Sequence, residues 1–142
     1  AGIVNKAGEG LFAVPYTAEG KPAQMLATQL EPIAARAVFP GFDEPSFRAS
    51  FAITVTAPSA YEVVSNMPVK SRDVQGALTR WQFAPTPPMP TYLLALFAGQ
   101  FEKLEDEADG VKLGLYTPLG KREQGRYAAE FYTTVKTSYT QP

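Results

Sequence analysis

The 142 residues contain no His and no Cys. Chemistry would have to rest on carboxylates, amides, hydroxyls and basic side chains. HExxH metal helices, Ser-His-Asp triads and Cys-His pairs all need residue types that are absent, so a His-built zinc site cannot be completed within this chain. No G-x-G-x-x-G or Walker-type loop occurs either, which leaves a phosphate cradle unsupported. Among the carboxylates, Asp43 and Glu44 are adjacent, and adjacent side chains diverge on regular backbone, which makes a poor acid/base pair. Glu105, Asp106, Glu107 and Asp109 fall where residues 106–110 read as a turn, and such charge runs are usually solvated. Gln29 and Glu31 differ. An extended segment over residues 24–31 puts both on one face and turns Leu30 into the core. A carboxylate beside an amide oxygen can hold an ammonium group, the first supplying charge and the second a neutral acceptor. Spacing alone leaves a solvated strand end as the competing reading.

The elements that would position this pair read as strands followed by a helix. Residues 10–16 and 24–31 form a hairpin, its loop at 17–23 marked by Gly20 and Pro22. Residues 50–57 alternate, with Phe51, Ile53 and Val55 against Ala52, Thr54 and Thr56. A strand over 61–65 follows, then a turn at 66–68. After the turn at Gln75-Gly76, residues 78–83 put Thr79, Trp81 and Phe83 on a core-facing side. Residues 84–90 hold four prolines and cross as a loop, because proline lacks the ladder donor. Residues 92–101 are nearly all apolar and predict a central strand, and 111–117 alternate again. Beyond Pro118 the period changes: Tyr127, Phe131 and Val135 recur every four residues on a polar background that begins at Lys121, predicting an amphipathic helix. The fold class is mainly β, an antiparallel β-sandwich or curved multi-stranded sheet with one C-terminal amphipathic helix. Residues 1–118 read as one β-domain and 119–142 as a linker and helix that opens a further domain.

Composition narrows the function classes. A chain of this length buries roughly 70% of its unfolded surface and sustains its own core. Hydrophobic residues at 45% supply that core, while charged residues at 19% lie below the roughly 25% of ordinary domains. Some surface is therefore expected to be covered. A net charge of -1 with no Lys/Arg cluster excludes a nucleic-acid footprint. The longest apolar run, residues 92–98, falls short of the roughly 20 needed to span a bilayer. Compartment stays open between cytoplasm and periplasm or secretion, since the absence of Cys fits all of them and an upstream signal could have been removed.

Several ordered blocks carry a family resemblance. Thr28-Gln29-Leu30-Glu31-Pro32, Ala35-Arg36, Phe39-Pro40-Gly41-Phe42-Asp43-Glu44-Pro45 and Phe47-Arg48-Ala49-Ser50-Phe51 resemble the N-terminal domain of M1 zinc aminopeptidases. Gly10-Leu11-Phe12 and Tyr16 upstream, and Ser65-Asn66-Met67-Pro68-Val69 and Met89-Pro90-Thr91-Tyr92-Leu93-Leu94-Ala95 downstream, resemble further blocks. Gly120-Lys121 and Gln124-Gly125-Arg126-Tyr127 resemble the helix that leads into the catalytic domain. The likeness implies removal of N-terminal residues from peptides by zinc-activated water. It also implies a β-domain packed on its own catalytic domain, and a T-Q-x-E block that reaches the active site. Glu31 matches the acidic position that binds the peptide's free α-amino group, and Gln29 its neighbour. The family's zinc ligands lie in HExxH and a later Glu, preceded by G-x-M-E-N, and these motifs are absent. The resemblance thus implies a fragment, incomplete at its N-terminus, that binds no catalytic zinc and hydrolyses nothing alone, the full-length enzyme carrying zinc outside this chain. Gly41 departs from the pattern, where many members have Cys.

The rest of residues 39–51 reads as framework. Pro40 and Pro45 restrict the backbone, Gly41 permits positive φ, and Phe42 anchors the turn in the core. Asp43 is expected to pair with Arg36. Trp81 and residues 89–94 also read as framework. Two other classes stay open: a stand-alone β-sandwich binding or interaction module, and an M1 scaffold whose parent has lost its zinc ligands.

Overall fold

A computed structural model describes residues 4 and 8–125. Among the described residues nine strands run in chain order: β1 (Gly10–Ala18), β2 (Lys21–Gln29), β3 (Thr54–Pro58), β4 (Glu62–Ser65), β5 (Val69–Gln75), β6 (Leu78–Phe83), β7 (Leu96–Gly99), β8 (Phe101–Ala108) and β9 (Val111–Pro118). They form a four-stranded sheet ordered β1-β2-β7-β4, a three-stranded sheet ordered β3-β6-β5, and the hairpin β8-β9. All pairings are antiparallel. Of the expected C-terminal helix, residues 122–125 are helical. Its apolar stripe, Tyr127, Phe131 and Val135, lies outside the described residues.

The two larger sheets share one core. Leu26, Ala98 and Val63 lie side by side across β2, β7 and β4, and they meet Ala57, Trp81 and Phe83 of the other sheet. Alternation does the sorting, since residues two apart on a strand share a face. Thr79, Trp81 and Phe83 are all buried, as the sequence predicts. Thr79 keeps its hydroxyl bonded by donating to Ser59 Oγ at 2.9 Å. Phe51, Ile53 and Val55 are likewise more buried than their neighbours.

Four expectations need correction. The β1–β2 connection is the two-residue turn Glu19-Gly20, not a seven-residue loop, with φ of 48° and 78°, the positive pair that a type I′ turn requires. Counting outward from this turn, bonded and non-bonded pairs alternate, which puts Pro15 and Pro22 at non-bonded positions where their missing N–H costs no ladder bond. The central strand is β7 alone, because side chains take over the backbone bonds of the residues before it. Asn66 Oδ1 accepts the Ala95 N–H and its Nδ2 donates to Leu93 O, both at 2.8 Å, while Ser65 Oγ donates to Ala95 O. Residues Thr91–Leu93 form a 3-10 turn instead. Strand β5 has no counterpart in the sequence reading, since all seven of its residues are exposed and nothing alternates. It is an edge strand carrying Lys70, Arg72 and Asp73, charges that discourage further pairing. Finally, Glu105, Asp106 and Glu107 belong to β8, and the turn is confined to Asp109-Gly110.

Candidate substrate-amine site

The β1–β2 hairpin delivers Gln29 to the end of the four-stranded sheet, where it faces Gly10 across the last registered pair. Strand β2 stops there. The next residues cannot extend the ladder, since Pro32 has no N–H to give, and the chain folds into a turn closed by Ala34 N–H donating to Leu30 O at 2.9 Å. The Glu31–Pro32 peptide bond is cis. The single extended segment that would put Gln29 and Glu31 on one strand face is therefore two residues too long.

Burial holds the turn firmly. Leu30 is 2% exposed, Ala34 3% and Ala35 0%, whereas Glu31, Pro32 and Ile33 between them are exposed. The core thus grips both ends of a short polar tip, with Leu30 buried as expected. No hydrogen bond or ion pair to a described residue engages the side chain of Gln29 or Glu31. An anchored, unpartnered carboxylate is chemically suited to an incoming cation. The depression of about 520 Å³ lined by Pro15, Pro22, Gln24, Tyr61 and Gln100 sits at the other end of this hairpin, by its turn.

Immediately after the tip, the 3-10 turn Ala35–Ala37 presents Arg36 to Asp43. The Arg36 backbone N–H donates to Asp43 Oδ2 at 2.8 Å and its Nε at 3.3 Å, while a terminal guanidinium nitrogen donates to Asp43 O at 3.2 Å. The expected pair is present, with one change of emphasis: Asp43 is the buried partner, and the Arg36 side chain is 56% exposed. Thr91 supplies a further donor, its hydroxyl reaching Asp43 Oδ1 at 2.6 Å. Burial pushes the Asp43 carboxyl up, but the bonds from Thr91 and Arg36 outweigh it and hold the group below the usual carboxylate value. Nothing local in the sequence singles out Thr91, which reads as one framework residue among several.

Two framework expectations fail nearby. Phe42 is 77% exposed and leaves the core, stacking on Phe47 with ring centroids 5.2 Å apart. Asp43 takes the buried position in this irregular loop and Phe42 beside it faces outward. Gly41 is not among the positive-φ residues. Trp81 is a core residue, 2% exposed.

Among the described residues, no group of three or more His, Cys, Asp or Glu side chains is placed to hold a metal ion. No described helix is long and apolar enough to cross a membrane.

The family profile described as the Peptidase M1 N-terminal domain matches residues 1–93. The chain is 45% identical over 130 residues to Aminopeptidase N of Acetobacter pasteurianus, covering 90% of this chain and 37% of that protein. It is 41% identical over 130 residues to Aminopeptidase M1-A of Oryza sativa subsp. japonica, covering 91% of this chain and 15% of the relative. Over 128 residues it is 38% identical to Aminopeptidase M1 of Arabidopsis thaliana, covering 89% and 15%. The chain thus spans between 15% and 37% of the length of these relatives. By these matches, over most of its length, the chain belongs to the M1 peptidase family, as its N-terminal domain.

Proposed function

We propose that this chain is the substrate-end domain of a longer zinc aminopeptidase that removes N-terminal residues from peptides. Residues 1–118 form the domain proper, and residues 119–142 lead toward a catalytic domain on which it packs. Glu31 recognises the peptide's free α-ammonium group through charge, and Gln29 adds a neutral acceptor. Zinc and the groups that hold it belong to the catalytic domain. The observation that carries this reading is the tip itself: Glu31 stands exposed between buried Leu30 and buried Ala34 and Ala35. A rigid support of this kind keeps a recognition group in place without using binding energy to order it. In the full-length protein, Glu31→Gln is expected to lower kcat/KM on an aminoacyl substrate by about 10-fold or more, the scale on which a lost charge-assisted bond acts. An unchanged kcat/KM removes Glu31 from amine recognition.

A further inference from the structure

Phe42 and Phe47 stack on each other in solvent, 77% and 48% exposed. Exposed apolar groups of this size, set side by side, mark a surface that something else covers. The segment carrying them is fixed rather than loose. Asp43 is bonded by Arg36 and Thr91, Phe47 N–H donates to Glu44 O at 3.0 Å, and Ala49 and Met89 exchange backbone bonds at 3.0 and 3.1 Å. Thr91 opens the 3-10 turn that ends at Leu93, itself 45% exposed. A buried carboxylate is costly unless well bonded, and this one holds a stretch without regular structure in a single outward-facing conformation.

We propose that Phe42 and Phe47 form the face on which the rest of the same polypeptide seats, an inference that rests on the proposed function and names the contact it requires. Three observations select that occupant. The relatives matched over nearly all of this chain are several times longer, so linked protein is at hand. Two apolar side chains fall far short of the roughly 20–30 residues a side that hold free partners together. A covalently linked domain, at high effective concentration, needs much less. Arg36, which fixes Asp43, also follows directly on buried Ala34 and Ala35, so the aromatic face and the Glu31 tip share one support. Seating the face would set the position of Glu31 against the catalytic portion.

Hydroxyl-radical footprinting of the native full-length protein tests the contact directly. Phe42 and Phe47 are expected to oxidise at least fivefold more slowly than in the urea-unfolded protein, while exposed Val74 of β5 changes little. Oxidation of both rings at the unfolded rate overturns the proposal. So does protection that appears only as protein concentration rises, which assigns the face to a second copy. Phe42→Ser in the full-length protein is expected to lower kcat/KM at least fivefold, and Phe42→Leu, which stays apolar, to retain most of it. Equal losses in the two variants overturn the proposal. Its failure is separable from that of amine recognition, since Glu31→Gln leaves the footprint of Phe42 unchanged.

Discussion

Thr91 donates its hydroxyl proton to the Asp43 carboxylate at 2.6 Å across 48 positions of sequence. That bond ties the 3-10 turn before β7 to the loop after the Glu31 tip, and Arg36 closes the cluster from the other side. Asp43 therefore joins three segments that no strand ladder connects.

Removing Asp43 should cost much more than removing Arg36. Asp43→Ala leaves the Thr91 hydroxyl and the Arg36 backbone N–H without their acceptor, and buried donors left unpaired cost about 1–3 kcal/mol. Arg36→Ala keeps its backbone N–H on the carboxylate and removes only an exposed guanidinium, worth under about 1 kcal/mol. Chemical denaturation of the two single variants and the double variant checks this. Effects that simply add would mean the side chains do not interact.

Acid should act through the same carboxylate. Its folded value is depressed by the donors around it, so its contribution is complete above the ordinary carboxylate value and is lost as pH falls through the still lower folded value. Urea midpoints are expected to hold steady from neutral pH to about pH 4 as far as this group is concerned, then decline. Thr91→Val removes a donor, brings the folded value back toward the ordinary one, and should make the decline shallower and end it at higher pH. Coincident acid limbs for the two proteins would show that Thr91 does not set the Asp43 value.

The elements legible in the sequence are those where alternation meets a core. Residues 78–83 match β6 residue for residue, with Thr79, Trp81 and Phe83 buried. Strand β5 was not legible, because an exposed edge strand has no buried face to impose a period. The central strand came out too long because apolar content cannot reveal that Asn66 and Ser65 occupy the backbone groups of residues 93–95. At the candidate site, Gln29 and Glu31 were legible through the motif they share with the family. The geometry was not, since Pro32 ends the ladder and a turn takes the place of the strand. Phe42 misled for a physical reason: its apolar type favours burial and cannot reveal that neighbouring Asp43 takes the buried position instead.

Gly99 is a packing constraint on the middle of the sheet. A Cβ added there would lie 2.8 Å from Met25 Cβ and 3.3 Å from Met25 Cα. Gly99→Ala is expected to destabilise by about 1–3 kcal/mol, the usual scale of overpacking. The Met25→Ala background should give no relief, because the clashing atoms are Cα and Cβ, which alanine keeps. Thermal unfolding of both variants checks this, and full rescue would place the conflict further along the Met25 side chain.

Arg72 and Trp81 are direct cross-strand partners, with the guanidinium carbon 4.4 Å from the ring centre. The ring is otherwise buried, and its Nε1 has no acceptor among the described residues. Arg72→Ala should cost about 0.5–1 kcal/mol by removing a cation–π contact at an exposed edge. It should also let water reach the ring face and move Trp81 emission to longer wavelength. Arg72→Lys, which keeps the charge without the stacking plane, is expected to fall between the two. An unchanged emission maximum in Arg72→Ala would mean that Arg72 does not shield the ring.

Glu31 and Gln29 make unequal contributions if one supplies charge and the other only an acceptor. In the full-length protein, Glu31→Gln should collapse the preference for an amine-bearing inhibitor over its desamino analogue, since only the amine would draw on the carboxylate. Gln29→Ala should narrow that preference by a smaller factor, a neutral hydrogen bond being roughly half as strong as a charge-assisted one. Glu31→Asp keeps the charge on a shorter arm, and because the tip is gripped by Leu30 and Ala34 the backbone cannot advance to restore contact. Its preference should lie between wild type and Glu31→Gln. Inhibition constants for the matched pair in the four proteins decide the matter, and a preference that survives Glu31→Gln would move amine recognition to residues outside this chain.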